Sequence, residues 1–502
     1  MASVPSVWSL ALALLLLVIA YARGFRRRPA HPPGPKPLPI IGNLLDVPKS
    51  KGHVVFKEWE KQYDSKLLYA SVLGQSVLVI NSLEDATELL EKRASTTSDR
   101  PWLPLMDLVG ATRNTLLKRY GDSWRFHRRI LHQNLRKGVL EHYRPILMQK
   151  SHILLHRLAQ DPAEFLTHFK IYSSSLLMGV VYGCDMEAPD EWNLPTSYFE
   201  WAEKVIRDVS KIGLLPIIRQ APSWLLGGSQ SYTADLRRRV LKLRDQPFDL
   251  AKEKAMLDDE RLDMVSRVLR NKVEGPESSE EPLRDVSMSA WVAGVETTAS
   301  ALGSFILALC LCPDVQEKAQ DEISRVVGSD RLPTLEDRPS LPYLEAIYRE
   351  VLRWKPPAPQ AVPHSTVQDD MYKGYFIPSG TIIIPNVWAM MRDEESYPEP
   401  EAFRPERYLK PDGTLDARQS DRVLAYGFGR RACPGKDLAS ESFWLGIAHI
   451  LASFDIAKAK DKEGMDIPLT LEYFDDEAVV RPKPFPCSIT ARRSIDTLTF
   501  AG

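Results

Sequence analysis

The sequence predicts a mainly α-helical protein with small β-sheets (α+β), preceded by one N-terminal transmembrane helix. Three observations carry that reading. Most segments from Leu83 to about Val273 space their apolar residues at helical intervals. The stretch from Arg284 to Cys312 has no proline, is apolar along most of its length and stops at Pro313, as a helix buried through the centre would. Beyond Tyr372 the pattern becomes GYFIPSGTIIIPNVWAM, a β-branched run between glycine and prolines that reads as strands and turns.

Composition bounds the function. The chain has 502 residues, of which 44% are hydrophobic and 26% charged, ordinary globular values that allow a substantial core. Its 65 basic and 66 acidic residues leave a net charge of -1, which argues against a chain that coats nucleic acid by bulk charge. Function must therefore reside in a site. Five cysteines (Cys184, Cys310, Cys312, Cys433 and Cys487) make neither an even disulfide set nor a zinc pattern, and they fit a reducing compartment. There is no internal repeat and no long low-complexity tract.

In chain order, Ser6 to Ala22 is a run of seventeen uncharged residues, at the short edge of a membrane-crossing helix. Ala20-Tyr21-Ala22 resembles a signal-peptide cleavage site, but Arg23, Arg26, Arg27 and Arg28 follow the run and no charged side chain precedes it. That placement predicts an anchor over residues 1–28 with the body in the cytosol. Residues 29–42 are proline-rich and form a stiff hinge. The globular body then occupies 43–502, with a helix and short strands from about Val54 to Val79. A polar, breaker-rich loop spans Glu274 to Pro282, a helix runs from about Pro342 to Trp354, and helix returns after Lys436.

The sharpest local signal is Tyr426-Gly427-Phe428-Gly429-Arg430-Arg431-Ala432-Cys433-Pro434-Gly435, set before a helix. Glycines let the loop fold tightly, and a cysteine at a helix start feels amides and dipole that lower its pKa and favour a metal-binding thiolate. Taken alone, such a loop also fits phosphate binding, and a lone cysteine is usually inert. A second segment, Ala293-Gly294-Val295-Glu296-Thr297-Thr298, puts an acid and two hydroxyls inside the apolar helix, where burial is costly without partners or work. Gly294 leaves room for a flat cofactor, and Thr297 can bond back to the preceding turn. A kinked helix with a solvated glutamate would look the same. Glu350 and Arg353 share one helical face, a common pairing. Trp124 and Arg128 also share a face, and His364 follows Ala361-Val362-Pro363; a core tryptophan beside a surface arginine, and a turn histidine, are the plain alternatives.

In their order and spacing these segments resemble the cytochrome P-450 family, over nearly the whole chain. The resemblance implies the fold of that family and a haem-thiolate monooxygenase that inserts one oxygen atom from O2 into a small apolar substrate. It places Cys433 as the axial ligand of haem b, and Arg431, Trp124, Arg128 and His364 at the propionates. Glu296 and Thr297 become the pair that delivers protons, while Glu350, Arg353 and Arg407 become a buried structural triad. Tyr426 departs from the family's usual phenylalanine, so its hydroxyl needs a partner. Electrons would come from NADPH through a separate cytochrome reductase, with cytochrome b5 as a second candidate donor. Its docking face would be basic, with Lys436 and Arg430 as contributors. The overall look is similar to fungal enzymes of secondary metabolism held in the endoplasmic reticulum membrane by a single pass. Pro101 to Thr115, Leu214 to Leu226, Ala361-Val362 and the turn near Phe474 would select the substrate, with terpenoids ahead of polyketides and indole alkaloids. A ligand-binding haem protein and an oxygen-independent isomerase are the rival readings.

Overall fold

A computed structural model describes residues 30–102, 104–186, 204–205, 208, 229–258, 261–271, 280–417, 422–475 and 479–492. The expected anchor (1–28) and the apolar stretch 214–226 lie outside them. The longer helices are α1 (Gly52–Tyr63), α2 (Asp122–Leu135), α3 (Arg144–Gln160), α4 (Phe165–Tyr182), α5 (Ser229–Leu257), α6 (Glu281–Leu311), α7 (Pro313–Val326), α8 (Pro342–Trp354) and α9 (Lys436–Ser453). Helix thus dominates, as the spacing of apolar residues foretold.

The main sheet has four strands. They are β1 (Leu67–Val72), β2 (Gln75–Ile80), β3 (His364–Ser365) and, after the small hairpin of β4 (Asp370–Tyr372) and β5 (Tyr375–Ile377), β6 (Ile382–Pro385), in spatial order β1-β2-β6-β3. β1 and β2 are antiparallel from Leu67 opposite Ile80 to Val72 opposite Gln75. Their two-residue turn puts Leu73 and Gly74 both at positive φ, the geometry that matches strand twist in a tight hairpin. The β-branched run of β6 then adds parallel to β2, with Val77 beside Ile382. His364 is therefore a buried strand residue, not the turn histidine that sequence left open. VWAM, read as strand and turn, is instead a short helix capped by Asn386, whose side-chain oxygen accepts from Ala389 N–H.

The described part of the proline-rich segment expected to act as a hinge packs onto this sheet. His31 stacks on Tyr69 with ring centroids 4.2 Å apart and bonds Phe376 O at 2.8 Å, while Tyr69 N–H donates to Pro33 O. Proline removes donors but leaves carbonyls, so the segment can still offer acceptors to β1.

At the centre lies α6, which starts three residues before the sequence suggested because Pro282 is tolerated in a first turn. It is long and apolar enough to cross a membrane, yet it is core: Trp291, Leu302, Phe305 and Ile306 are almost fully buried. Its main neighbour is α4, and α9 packs on another face. Four short strands, β7 (Phe454–Lys458), β8 (Tyr473–Phe474), β9 (Arg481–Pro482) and β10 (Cys487–Ala491), finish the fold as two pairs, β7 with β10 and β8 with β9.

Candidate active site

The loop before α9 is shaped by its glycines. Gly429 has φ +52°, and a Cβ there would lie 2.2 Å from Leu90 O, so only glycine lets the two backbones approach. The loop closes on itself through Cys433 N–H donating to Tyr426 O at 2.8 Å. Cys433 keeps some accessible surface, and its thiol is desolvated by the surrounding protein. The expected lowering of its pKa is reversed. Burial pushes the thiol up, and the Gly435 amide and Arg128 pull it down only in part.

Around the loop sits a cluster of cations, Arg100 buried and Arg128 and Arg431 half-buried. Arg431 donates to Ser98 O, Thr115 O and Lys118 O, and its guanidinium lies 4.3 Å from the Trp124 ring centre. Arg128 donates to Ala432 O beside the cysteine. Arg100, which sequence reasoning missed, donates to Leu116 O, Val362 O and Pro363 O. These three guanidinium groups bond backbone carbonyls and no carboxylate among the described residues. Asp99, the acid that reaches Arg100 and Arg431 electrostatically, is engaged by Arg119 at 2.6 Å and the Tyr120 amide at 2.7 Å. Burial accordingly lowers Arg100 far below its usual value and Arg431 to about 10. Desolvated cations without matched anions are costly, so the cluster is suited to an anionic ligand such as a carboxylate.

His364 joins the cluster less directly. Its Nδ1 donates to Thr97 O at 2.9 Å, and burial, Arg100 and Arg431 hold the ring neutral. The other nitrogen can donate to a carboxylate only from the doubly protonated ring, which those cations disfavour until an anion arrives.

α6 faces the same region. Between buried Trp291 and buried Ala299, Ala293 is exposed and Gly294, Glu296, Thr297 and Thr298 retain accessible surface. One turn of a core helix is thereby opened. Thr297 Oγ1 donates to Ala293 O at 3.1 Å, the back-bond the sequence suggested. Gly294 works differently from expectation: a Cβ there would lie 2.5 Å from Leu177 Cδ1, so its missing side chain admits α4. Glu296 is ion-paired at 3.8 Å with Arg481 of β9, and so is not simply solvated. Two turns earlier, ~10 Å along the axis, Ser289 Oγ accepts from Thr115 N–H at 2.9 Å. Thr115 O in turn accepts from Arg431, which ties α6 to the cation cluster.

Glu350 and Arg353 are almost fully buried and form a bidentate pair at 2.6 and 2.8 Å. Arg407 adds Nε at 3.2 Å to Glu350 Oε1, completing the triad. The Tyr426 hydroxyl finds its partner in Tyr348 of α8, with the two oxygens 3.0 Å apart. Trp124, Arg128, Arg431 and Cys433 thus come together as expected, His364 joins through Arg100, and Glu296 and Thr297 line the opened turn of α6. No spacing in Asp99-Arg100-Pro101 betrayed Arg100, because its partners are carbonyls distant in sequence. A desolvated thiol at Cys433, adjacent cations that bond no carboxylate among the described residues and the opened turn of α6 together fit a haem.

Comparison with known proteins agrees. Residues 32–485 match the family model described as Cytochrome P450. Similar proteins include the cytochrome P450 monooxygenase COX1 of Coprinopsis cinerea, 38% identical over 92% of this chain and 91% of that protein. The cytochrome P450 monooxygenase ple1 of Rhodocybe pseudopiperita is 37% identical over 94% of this chain and 92% of its own length. The cytochrome P450 monooxygenase claR of Ampulloclitocybe clavipes is 33% identical, over 97% and 92% respectively.

Proposed function

Because the chain belongs to the cytochrome P450 family and is a P450 monooxygenase, we propose that it oxygenates a small apolar substrate in fungal secondary metabolism, with a terpenoid scaffold favoured. Thiolate-ligated haem, when bound, supplies an iron whose electron density favours cleavage of the O–O bond. The carrying observation is a desolvated thiol at Cys433 beside the buried guanidinium of Arg100 and the half-buried ones of Arg128 and Arg431, none of which bonds a carboxylate among the described residues. Cys433 holds the iron. Arg100, Arg128 and Arg431 hold the propionates, with Trp124 packed under Arg431 and His364 behind Arg100. Glu296 and Thr297, at the opened turn of α6, hold and pass protons toward the reacting oxygen, and the surrounding apolar core keeps bulk water out.

Electrons come from NADPH through a membrane-bound reductase, with cytochrome b5 as a second donor. Residues 1–28 anchor the chain in the endoplasmic reticulum membrane and 29–42 link the anchor to a cytosolic body. The charge pattern after the apolar run and the docking of His31 on Tyr69 support this. Reconstitution with reductase, NADPH, isotope-labelled oxygen and a panel of terpene scaffolds tests the reading. One labelled oxygen atom per product is expected. Turnover without reductase, giving unlabelled product, would identify an isomerase instead.

A further inference from the structure

The β8–β9 hairpin lies along one face of α6. Tyr473 Oη donates to Ser304 Oγ at 3.2 Å, and Ser300 Oγ donates to Val480 O at 2.5 Å. Gly303 meets Pro482 so closely that a Cβ would lie 2.9 Å from its ring. The last contact in this line is the ion pair of Arg481 with Glu296. Positions 296, 300, 303 and 304 share a helical face, so the hairpin is strapped to the helix from the opened turn onward. Arg481 also stacks on Phe474, its cross-strand partner, with its guanidinium 4.3 Å from the ring centre.

We propose that Arg481 is a positioning residue that holds the Glu296 carboxylate at the opened turn of α6 and links its placement to Phe474. This rests on the reading of Glu296 as a proton carrier. A partly buried carboxylate needs a cation, and one on α6 itself would move only with the helix. Arg481 comes from a different element, and one face of its guanidinium is covered by an aromatic ring. A substrate that repacks Phe474 therefore shifts the group that orients the acid. At 3.8 Å the pair is an ion pair longer than a hydrogen bond, an attraction that orients the carboxylate through charge.

The test uses full-length holoenzyme with reductase and a substrate found by the terpene panel. Variants Arg481→Gln, Arg481→Lys and Glu296→Gln are compared for haem spectrum, substrate affinity, product formed per NADPH and hydrogen peroxide released. Arg481→Gln is expected to keep the spectrum and the substrate affinity but to lower product per NADPH severalfold, toward the roughly hundredfold limit of a catalytic group misplaced by about 1 Å. Lost reducing equivalents should appear as peroxide, and the solvent deuterium effect should grow. Arg481→Lys should recover most of the coupling. If Arg481→Gln does not take up haem, Phe474→Leu asks the same question and should also uncouple. Normal coupling in Arg481→Gln, or a change confined to substrate affinity, would overturn the proposal. Normal coupling in Glu296→Gln would instead overturn the underlying role of Glu296.

Discussion

Arg100 shows what a single residue contributes when its partners are remote. Its guanidinium is spent on three carbonyls, from Leu116, Val362 and Pro363, and gains its meaning only beside Arg431. Charge-assisted bonds contribute about 1.5–3 kcal/mol each, so Arg100→Ala should speed loss of haem by roughly ten- to a hundredfold. Transfer of haem to an acceptor apoprotein measures this directly. An unchanged transfer rate would remove Arg100 from the propionate site. His449 offers a separate test. It is fully buried, with Nδ1 2.8 Å from Ser151 Oγ and Nε2 2.8 Å from Pro333 O, and burial lowers its pKa to about 4. Its folded pKa lies below the unfolded value of 6.5, so at neutral pH both states are uncharged and no stability is at stake. As pH falls below 6.5 the unfolded chain gains the proton first, and about 3 kcal/mol is lost by pH 4. Denaturant titrations across that window should show the slope, and His449→Gln should flatten it.

At the scale of elements, the parts legible in the sequence were those with local signatures. The central helix declared itself by composition and by Pro313, and the haem loop by glycines whose need is physical: Gly429 lies 2.2 Å, at its absent Cβ, from Leu90 O. Contacts between elements were not legible. From their spacing alone Glu350 and Arg353 are a common helical pair; the family resemblance was needed to expect a buried triad with Arg407, and the packing of α8 supplies it. Gly294 likewise reads as cofactor space until α4 places Leu177 against it. The lowered thiol pKa expected of Cys433 also failed, because helix-end effects are local and burial depends on the whole fold. Since removing one partner of a buried ion pair strands a charge, Glu350→Gln should cost about 3–5 kcal/mol. Its measurable result is loss of soluble folded protein and of haem incorporation. Wild-type thermal stability in that variant would mean the triad is dispensable.

At the scale of the whole molecule, the proposed anchor precedes a body whose N-terminal edge makes its own contacts. The first described residues are already fixed, with Tyr69 N–H on Pro33 O and His31 on the Tyr69 ring. Deleting residues 1–28 should therefore leave the haem spectrum unchanged and move the protein from the membrane fraction to the soluble one, as cell fractionation reports. A truncated chain that no longer binds haem would show that the body depends on the anchor. The claim on which everything else rests is that Cys433 presents a thiolate to haem iron within this fold. The optical spectrum of the reduced, carbon-monoxide-bound protein tests it most directly. A strongly red-shifted Soret band is predicted for the wild type and for Cys310→Ala, with the band lost in Cys433→Ala. Absence of that band in the correctly folded wild type, or its persistence in Cys433→Ala, would contradict the account.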